Sequence, residues 1–386
     1  MQKHPFKSKP FVIPAQKLSD LAGRKLIFLK DRDGYGEKPW SDWFTFLSQR
    51  EKINLTTGDA IQESTKDALL QMWITSFSYN LPFIQFGDDL KLTKIEGSRG
   101  KTISDLAAPA IELPDKPPSG SAVIVGRGPS IFAHKHLELL AEYIKKGRYE
   151  GAVCSTDGML IECLKHEIIP EITVTVDGSL LIKKWFDHPL VKKYGEQLKI
   201  VLPVSVNHEA YRVCVENRCK VYWFNPMLDQ LTYNESFTRL IGMMTRQSIK
   251  DKPLVATQCG GNCGTTAWIM AMELLKRAPI ALIGIDFGYP EGTKLEETPY
   301  FSSFPKDKLF ALPHVFVAVY HPFFKTKATF DAVFYHYREG FLSMQNQTWP
   351  WYRQYGGTIN CTEGGTLFGP GIHCKPFKTF LDENPK

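Results

Sequence analysis

The chain has 386 residues, 43% hydrophobic and 23% charged, a composition that suits a globular protein of two or three domains and excludes disordered, collagenous and coiled-coil classes. Its net charge of +6 sits at the start, where Lys3, Lys7, Lys9, Lys17, Arg24, Lys25 and Lys30 face Asp20 alone and the remaining residues balance. A nucleic-acid binder needs its basic stripe on a folded face, so the arm reads as a solvated tail and no nucleic-acid partner is expected.

Residues 1–111 predict a small α+β appendage, with an apolar segment at 26–29 and helices at 40–47 and 66–79. Residues 112–120, with three prolines and a closing glycine, predict an extended linker. From 121 to 386 the pattern changes. Short β-branched runs at 122–125, 152–155, 172–176, 200–204, 221–224, 254–257 and 280–285 predict strands, and stretches at 132–146, 159–166, 229–245 and 265–277 predict helices between them. Strands apolar on both faces are covered on both sides, so the fold class is α/β, a Rossmann-like, doubly wound, mostly parallel sheet. Beyond Tyr289 the periodicity weakens into a C-terminal extension: a loop or lid at 293–314, an aromatic-rich helix at 324–345 and a strand and turn at 358–365.

No stretch approaches the roughly 18 consecutive apolar residues of a membrane span, and the start carries no secretory pattern, so a cytoplasmic protein without a transmembrane segment is expected. Eight cysteines in that setting are expected to be free thiols, since none is spaced for zinc.

In such a sheet, ligands gather at the carboxyl ends of the strands. The first strand runs into Gly126, Arg127, Gly128, Pro129 and Ser130 and then a helix. The glycines permit a tight turn, Pro129 suits a first helical turn, and free amides with the helix dipole favour a phosphate; the plainer reading is an ordinary strand-to-helix turn. A dinucleotide fingerprint fails because Ile131 stands where its last glycine belongs, and the loop-like Gly97 to Thr102 run fails because Ile95 replaces its first. Asp157 and Asp177, each followed by glycine at the ends of the second and third strands, can bring two carboxylates over one crevice to hold Mg²⁺ or a ribose, or can merely cap helices. After the sixth strand, Gly261 allows close backbone approach while Asn262 and Thr265 can cap the next helix or bind a ligand. Asp286 ends the seventh strand as a base, a metal ligand or a cap, with Tyr289 nearby to stack on a heterocycle. His134 and His136 lie too close in sequence to form a helical metal pair, and His321 and His373 are the remaining acid/base candidates.

Taken in order, the 126–130 loop, Asp157-Gly158, Asp177-Gly178, the 260–262 turn, the 286–292 segment and Glu363-Gly364-Gly365 resemble the MptE-like family, over roughly residues 115–375. That family includes archaeal 6-hydroxymethylpterin diphosphokinases and bacterial motility accessory factors. The resemblance implies a transferase that binds a nucleotide through Gly126, Arg127, Gly128, Pro129, Ser130, Asp157, Gly261, Asn262 and Thr265. It implies Asp177 and Asp286 as catalytic residues, Mg²⁺ on Asp157 and Asp177, and Tyr289, Glu291 and Glu363 against the acceptor. In the diphosphokinase members Mg-ATP donates diphosphate to a pterin hydroxymethyl group. One position departs: Thr175 stands where the pterin enzymes place the first acid of Asp-x-Asp-Gly. The alternatives are a glycosyltransferase using a nucleotide sugar and a non-catalytic nucleotide- or glycan-binding module; either enzyme pairs a nucleotide with a small-molecule or glycan acceptor.

Overall fold

The computed structural model describes residues 56–86, 100–106, 120–229, 236–246, 254, 256–294, 297, 317–348, 350–369 and 371–385. The segments expected at 26–29 and 40–47, nearly all of the expected linker and most of the expected lid lie outside these residues.

The sheet is set by β1 (Ala122–Val125), whose four side chains are fully buried. Ala122 and Ile124 point into one apolar cluster and Val123 and Val125 into another, the signature of a strand covered on both faces. Complete burial of each valine contributes about 1.5–3 kcal/mol. The other strands are β2 (Ala152–Thr156), β3 (Ile172–Val174), β4 (Lys199–Pro203), β5 (Lys220–Pro226), β6 (Ala256–Thr257), β7 (Ile280–Ile283), β8 (Tyr289–Pro290), β9 (Val317–His321), β10 (Thr326–Phe330), β11 (Thr358–Asn360) and β12 (Ile372–Cys374). Nine of them form one sheet in the order β12-β11-β7-β1-β2-β3-β4-β5-β6, and every neighbouring pair is parallel. The fold is the Rossmann-like α/β architecture expected. The chain winds outward from β1 to β6 and then returns to the other side of β1 as β7. The reversal makes the carboxyl ends of β1 and β7 the topological switch point, where open α/β sheets bind ligands. A separate antiparallel sheet, β8-β10-β9, stands beside that rim.

Several expected elements change in detail. The helix expected at 132–146 is broken into Ser130–Ala133 and His136–Lys145, because Lys135 between them adopts the left-handed conformation, φ 51°. The helix expected from 229 begins at Phe237; Asp229 instead accepts from the Phe237 and Thr238 amides ahead of it. The expected 324–345 helix is β10 followed by a helix at Ala332–Asn346, capped by the Asp331 carboxylate on the Phe334 amide. The sixth strand shrinks to two residues. The helix expected at 66–79 extends over Thr56–Phe86 and places Trp73, Phe77 and Ile84 in a cluster with Val204, Val206 and Phe237. Within it, buried Asn80 donates to the carbonyls of Val204 and Val206, at 3.0 and 2.8 Å, tying this helix to the loop after β4. All eight cysteines are free, and no described helix is long and apolar enough to cross a membrane.

Candidate active site

At the switch point two glycines face each other. A Cβ on Gly126 would lie 2.4 Å from the Gly284 carbonyl oxygen, and one on Gly284, whose φ is +63°, would lie 2.2 Å from that of Gly126. Only glycine permits this approach, which lets the Gly126 amide donate to Ile283 O at 2.9 Å and the Gly128 amide to Gly284 O at 2.7 Å. Asp286 then reaches across: its carboxylate accepts the Ser130 amide at 2.9 Å and the Ser130 hydroxyl at 2.5 Å. The amides of Gly126, Gly128 and Ser130, expected to cradle a donor phosphate, are thus engaged by the protein itself. The physics of an anion at a helical N-terminus holds, but the anion is the chain's own carboxylate.

Asp286 is 4% exposed, and burial pushes its carboxyl up to about 6, with the two Ser130 bonds and His136 pulling in the opposite direction. Its backbone is held as firmly as its side chain. Thr366 donates its amide to Asp286 O at 2.8 Å and its hydroxyl to Phe287 O at 2.7 Å, fixing Phe287 at a φ of 44° that a bulky residue rarely adopts.

Asp286 forms a wall between two clefts. A cleft of about 780 Å³ opens on one side, over the ends of β1, β2 and β3, and one of about 420 Å³ on the other, beneath β10. Asp286 and Pro129 line both. The larger cleft gathers Gly126, Arg127, Gly128, Asp157, Asp177, Asn262 and Tyr289 from the residues singled out in the sequence. The smaller one takes Ser130, Glu291 and Glu363.

In the larger cleft Asp157 is buried, accepting the Thr175 hydroxyl at 2.6 Å and the Gly158 amide at 2.6 Å. Burial raises its pKa, the two bonds oppose that, and the Asp177 charge adds to the rise, so the two carboxylates sense each other. Asp177 is exposed and accepts the Ser179 amide at 2.8 Å. Among the described residues no three His, Cys, Asp or Glu side chains converge on a metal position. Two carboxylates with phosphate oxygens are nonetheless a donor set that Mg²⁺ accepts, so the pair fits that ion once a phosphorylated ligand supplies the remainder.

Aromatic residues that the sequence did not single out shape the same cleft. Trp185, from a short helix at Lys183–Phe186, lies under the Arg127 guanidinium at 4.4 Å from the ring centroid, and Phe334 and Tyr337 also line the cleft. The Lys183-Lys184-Trp185 run gave no period or motif by which to find it.

Other expected residues fall elsewhere. Gly261, φ +76°, is not among the lining residues; a Cβ there would meet the Tyr337 ring at 2.5 Å, so it serves the packing of that aromatic. Thr265 is fully buried and donates its amide to the Asn262 side chain at 2.8 Å, so Asn262 caps this helix. Tyr289 lines the larger cleft, with its hydroxyl given to Asp331 at 2.9 Å. His321 is fully buried, accepts from the Phe323 and Phe324 amides, and is driven down to about 3 by burial, which makes it a turn-former and not an acid/base group. His373 sits on β12 and lines neither cleft. Lys101 and Thr102, from the look-alike phosphate loop, bridge to Trp223 at the edge of β5.

The family model described as 6-hydroxymethylpterin diphosphokinase MptE-like matches residues 101–292. No curated protein matches the chain. A solved structure, "Structure of MAf glycosyltransferase from Magnetospirillum magneticum AMB-1", is similar at 15% identity with a TM-score of 0.49, covering 80% of this chain and 38% of that one. This chain therefore spans well under half the length of that protein.

Proposed function

From the membership of residues 101–292 in the MptE-like family, we propose that the chain is a nucleotide-dependent transferase acting on an acceptor hydroxyl. The observation that carries this reading is the buried Asp286 carboxylate, held by Ser130 at the switch point with a cleft on either side. The nucleotide donor occupies the larger cleft, with its base on Trp185 and its phosphates facing Arg127, whose guanidinium carries the charge that the committed loop amides cannot. The acceptor hydroxyl oxygen bonds to the transferred group, the bond to the nucleotide breaks with its electron pair leaving on the nucleotide, and the hydroxyl proton passes to Asp286. A carboxyl near 6 suits that task, because a base works best when its pKa lies near the working pH. Mg²⁺ on Asp157 and Asp177, when bound, supplies neutralisation of the phosphate charge.

In its finer form the reading is transfer of diphosphate from ATP to a hydroxymethyl group, in keeping with the family's description. A second reading, glycosyl transfer from a nucleotide sugar, is favoured by one observation. Thr175 replaces a carboxylate of the pterin-enzyme pattern and gives its hydroxyl to Asp157, which leaves fewer acids for a metal beneath a migrating phosphoryl group.

Calorimetric titration with ATP, CMP, UDP and GDP, each with and without Mg²⁺, tests both. Mg²⁺-dependent ATP binding supports diphosphate transfer, and metal-independent binding of a pyrimidine nucleotide supports glycosyl transfer. Absence of binding by all four sinks the transferase reading.

A further inference from the structure

The smaller cleft has a chemistry of its own. Three acids line it, and all three are already engaged: Asp286 by Ser130, Glu291 by Lys327 at 3.3 Å, and Glu363 by His136 at 3.3 Å and the Phe377 amide at 3.0 Å. The His136 contact holds the Glu363 carboxyl below its ordinary range. The donors are not so matched. Lys325 is exposed at the start of β10 with no ion pair among the described residues, and the next residue, Thr326, has a buried hydroxyl without a hydrogen-bond partner. The imidazole of His134 lines the same cleft, stacked on His136 with ring centroids 5.5 Å apart. An anion entering the cleft supplies the partner that the Lys325 ammonium lacks.

Resting on the transferase reading above, we propose that the 420 Å³ cleft is the acceptor site and that it takes an anionic acceptor, whose carboxylate or phosphate is held by the Lys325 ammonium. The acceptor's hydroxyl lies at Ser130, which lines this cleft and not the larger one. Its proton reaches Asp286 through the Ser130 hydroxyl: the acceptor oxygen gives its proton to Ser130 Oγ as Ser130 gives its own to the carboxylate, 2.5 Å away. The two clefts share Pro129, Asp286, Gly288 and Pro290, and donor and acceptor meet where they adjoin. A cleft of this volume accommodates a monosaccharide or a comparable heterocycle, not a protein segment.

The probes are glucose 6-phosphate and glucuronate, with glucose as the neutral control, titrated into the full chain and followed by saturation-transfer NMR and calorimetry. At least one charged sugar is expected to bind about tenfold or more tightly than glucose, and the preference between them separates phosphate from carboxylate recognition. Lys325→Gln, at an exposed position, is expected to remove that preference about tenfold, with nucleotide binding unchanged. Equal binding of glucose, binding of neither charged sugar, or full retention in Lys325→Gln overturns the proposal. Charged-sugar binding that follows this pattern in a chain that binds no nucleotide supports the anion site while sinking the transferase reading, so the two fail separately.

Discussion

The two clefts share a wall and differ in nearly everything else. On the larger side the lining is aromatic and backbone-rich, with Trp185, Phe334 and Tyr337 beside three aspartates, one glutamate and one guanidinium. On the smaller side Lys325 and Lys327 stand at β10 among three acids that already have partners, and Lys325 makes no ion pair among the described residues. Stacking surfaces suit a flat base and point charges suit a small polar molecule, so the proposed donor and acceptor fall in separate clefts that adjoin at Asp286.

The sharpest way to break that division is at the wall. Asp286→Asn keeps an acceptor for the Ser130 hydroxyl while removing the base, and transfer is expected to fall about 10²- to 10⁴-fold, with nucleotide affinity retained within about twofold. Turnover assays beside nucleotide calorimetry check it, and unchanged turnover would dissolve the proposed role of the wall.

The same residue predicts a pH dependence of stability. Its folded carboxyl, at about 6, lies above the ordinary 3.8, so the native state binds more protons than the unfolded chain between those values. Stability therefore falls as pH rises from about 4 through about 6, by about 3 kcal/mol from this group, and is flat in that term above. His136, the charge that bears on it from the adjoining helix, opposes the effect when protonated. Urea unfolding at pH 4.5 and 7 should show the loss in the native protein and a smaller one in Asp286→Asn.

Within the larger cleft, Thr175→Val takes one of the hydrogen bonds of buried Asp157 and is expected to cost about 1–3 kcal/mol, measured by denaturant midpoint. The smallest expected effect is at the rim, where Trp185→Ala should weaken nucleotide binding about tenfold by removing the stacking surface, with no change in charged-sugar binding.

The sheet was legible because apolar runs bounded by Gly and Asp leave little choice of element, and the rim was legible because the acids sit where those runs stop. What was not legible is which partner each rim residue takes. The glycines at 126 and 128 read as a phosphate cradle, yet their absent side chains make room for Gly284 and for Asp286. That preference depends on a contact between residues more than 150 positions apart, which no local pattern encodes. Trp185 escaped for a similar reason, since its place in the cleft comes from Arg127, on a different loop. Lys325 and Lys327 of the small cleft belong to a hairpin that reads as a helix by its aromatic content until its pairing with β9 is known.

The pairing of β7 with β11 also bears on how this chain can be divided. β7 presents four fully buried residues and bonds to β1 on one side and to β11, about 75 residues later, on the other. A fragment ending at 292, where the family match ends, would leave that flank as a bare hydrophobic strand edge and strip the Asp286 carbonyl of Thr366. Such an edge invites pairing with other chains, so the isolated fragment would self-associate before it could bind anything. During synthesis the same holds in time: the centre of the sheet stays unguarded until its C-terminal strands have emerged.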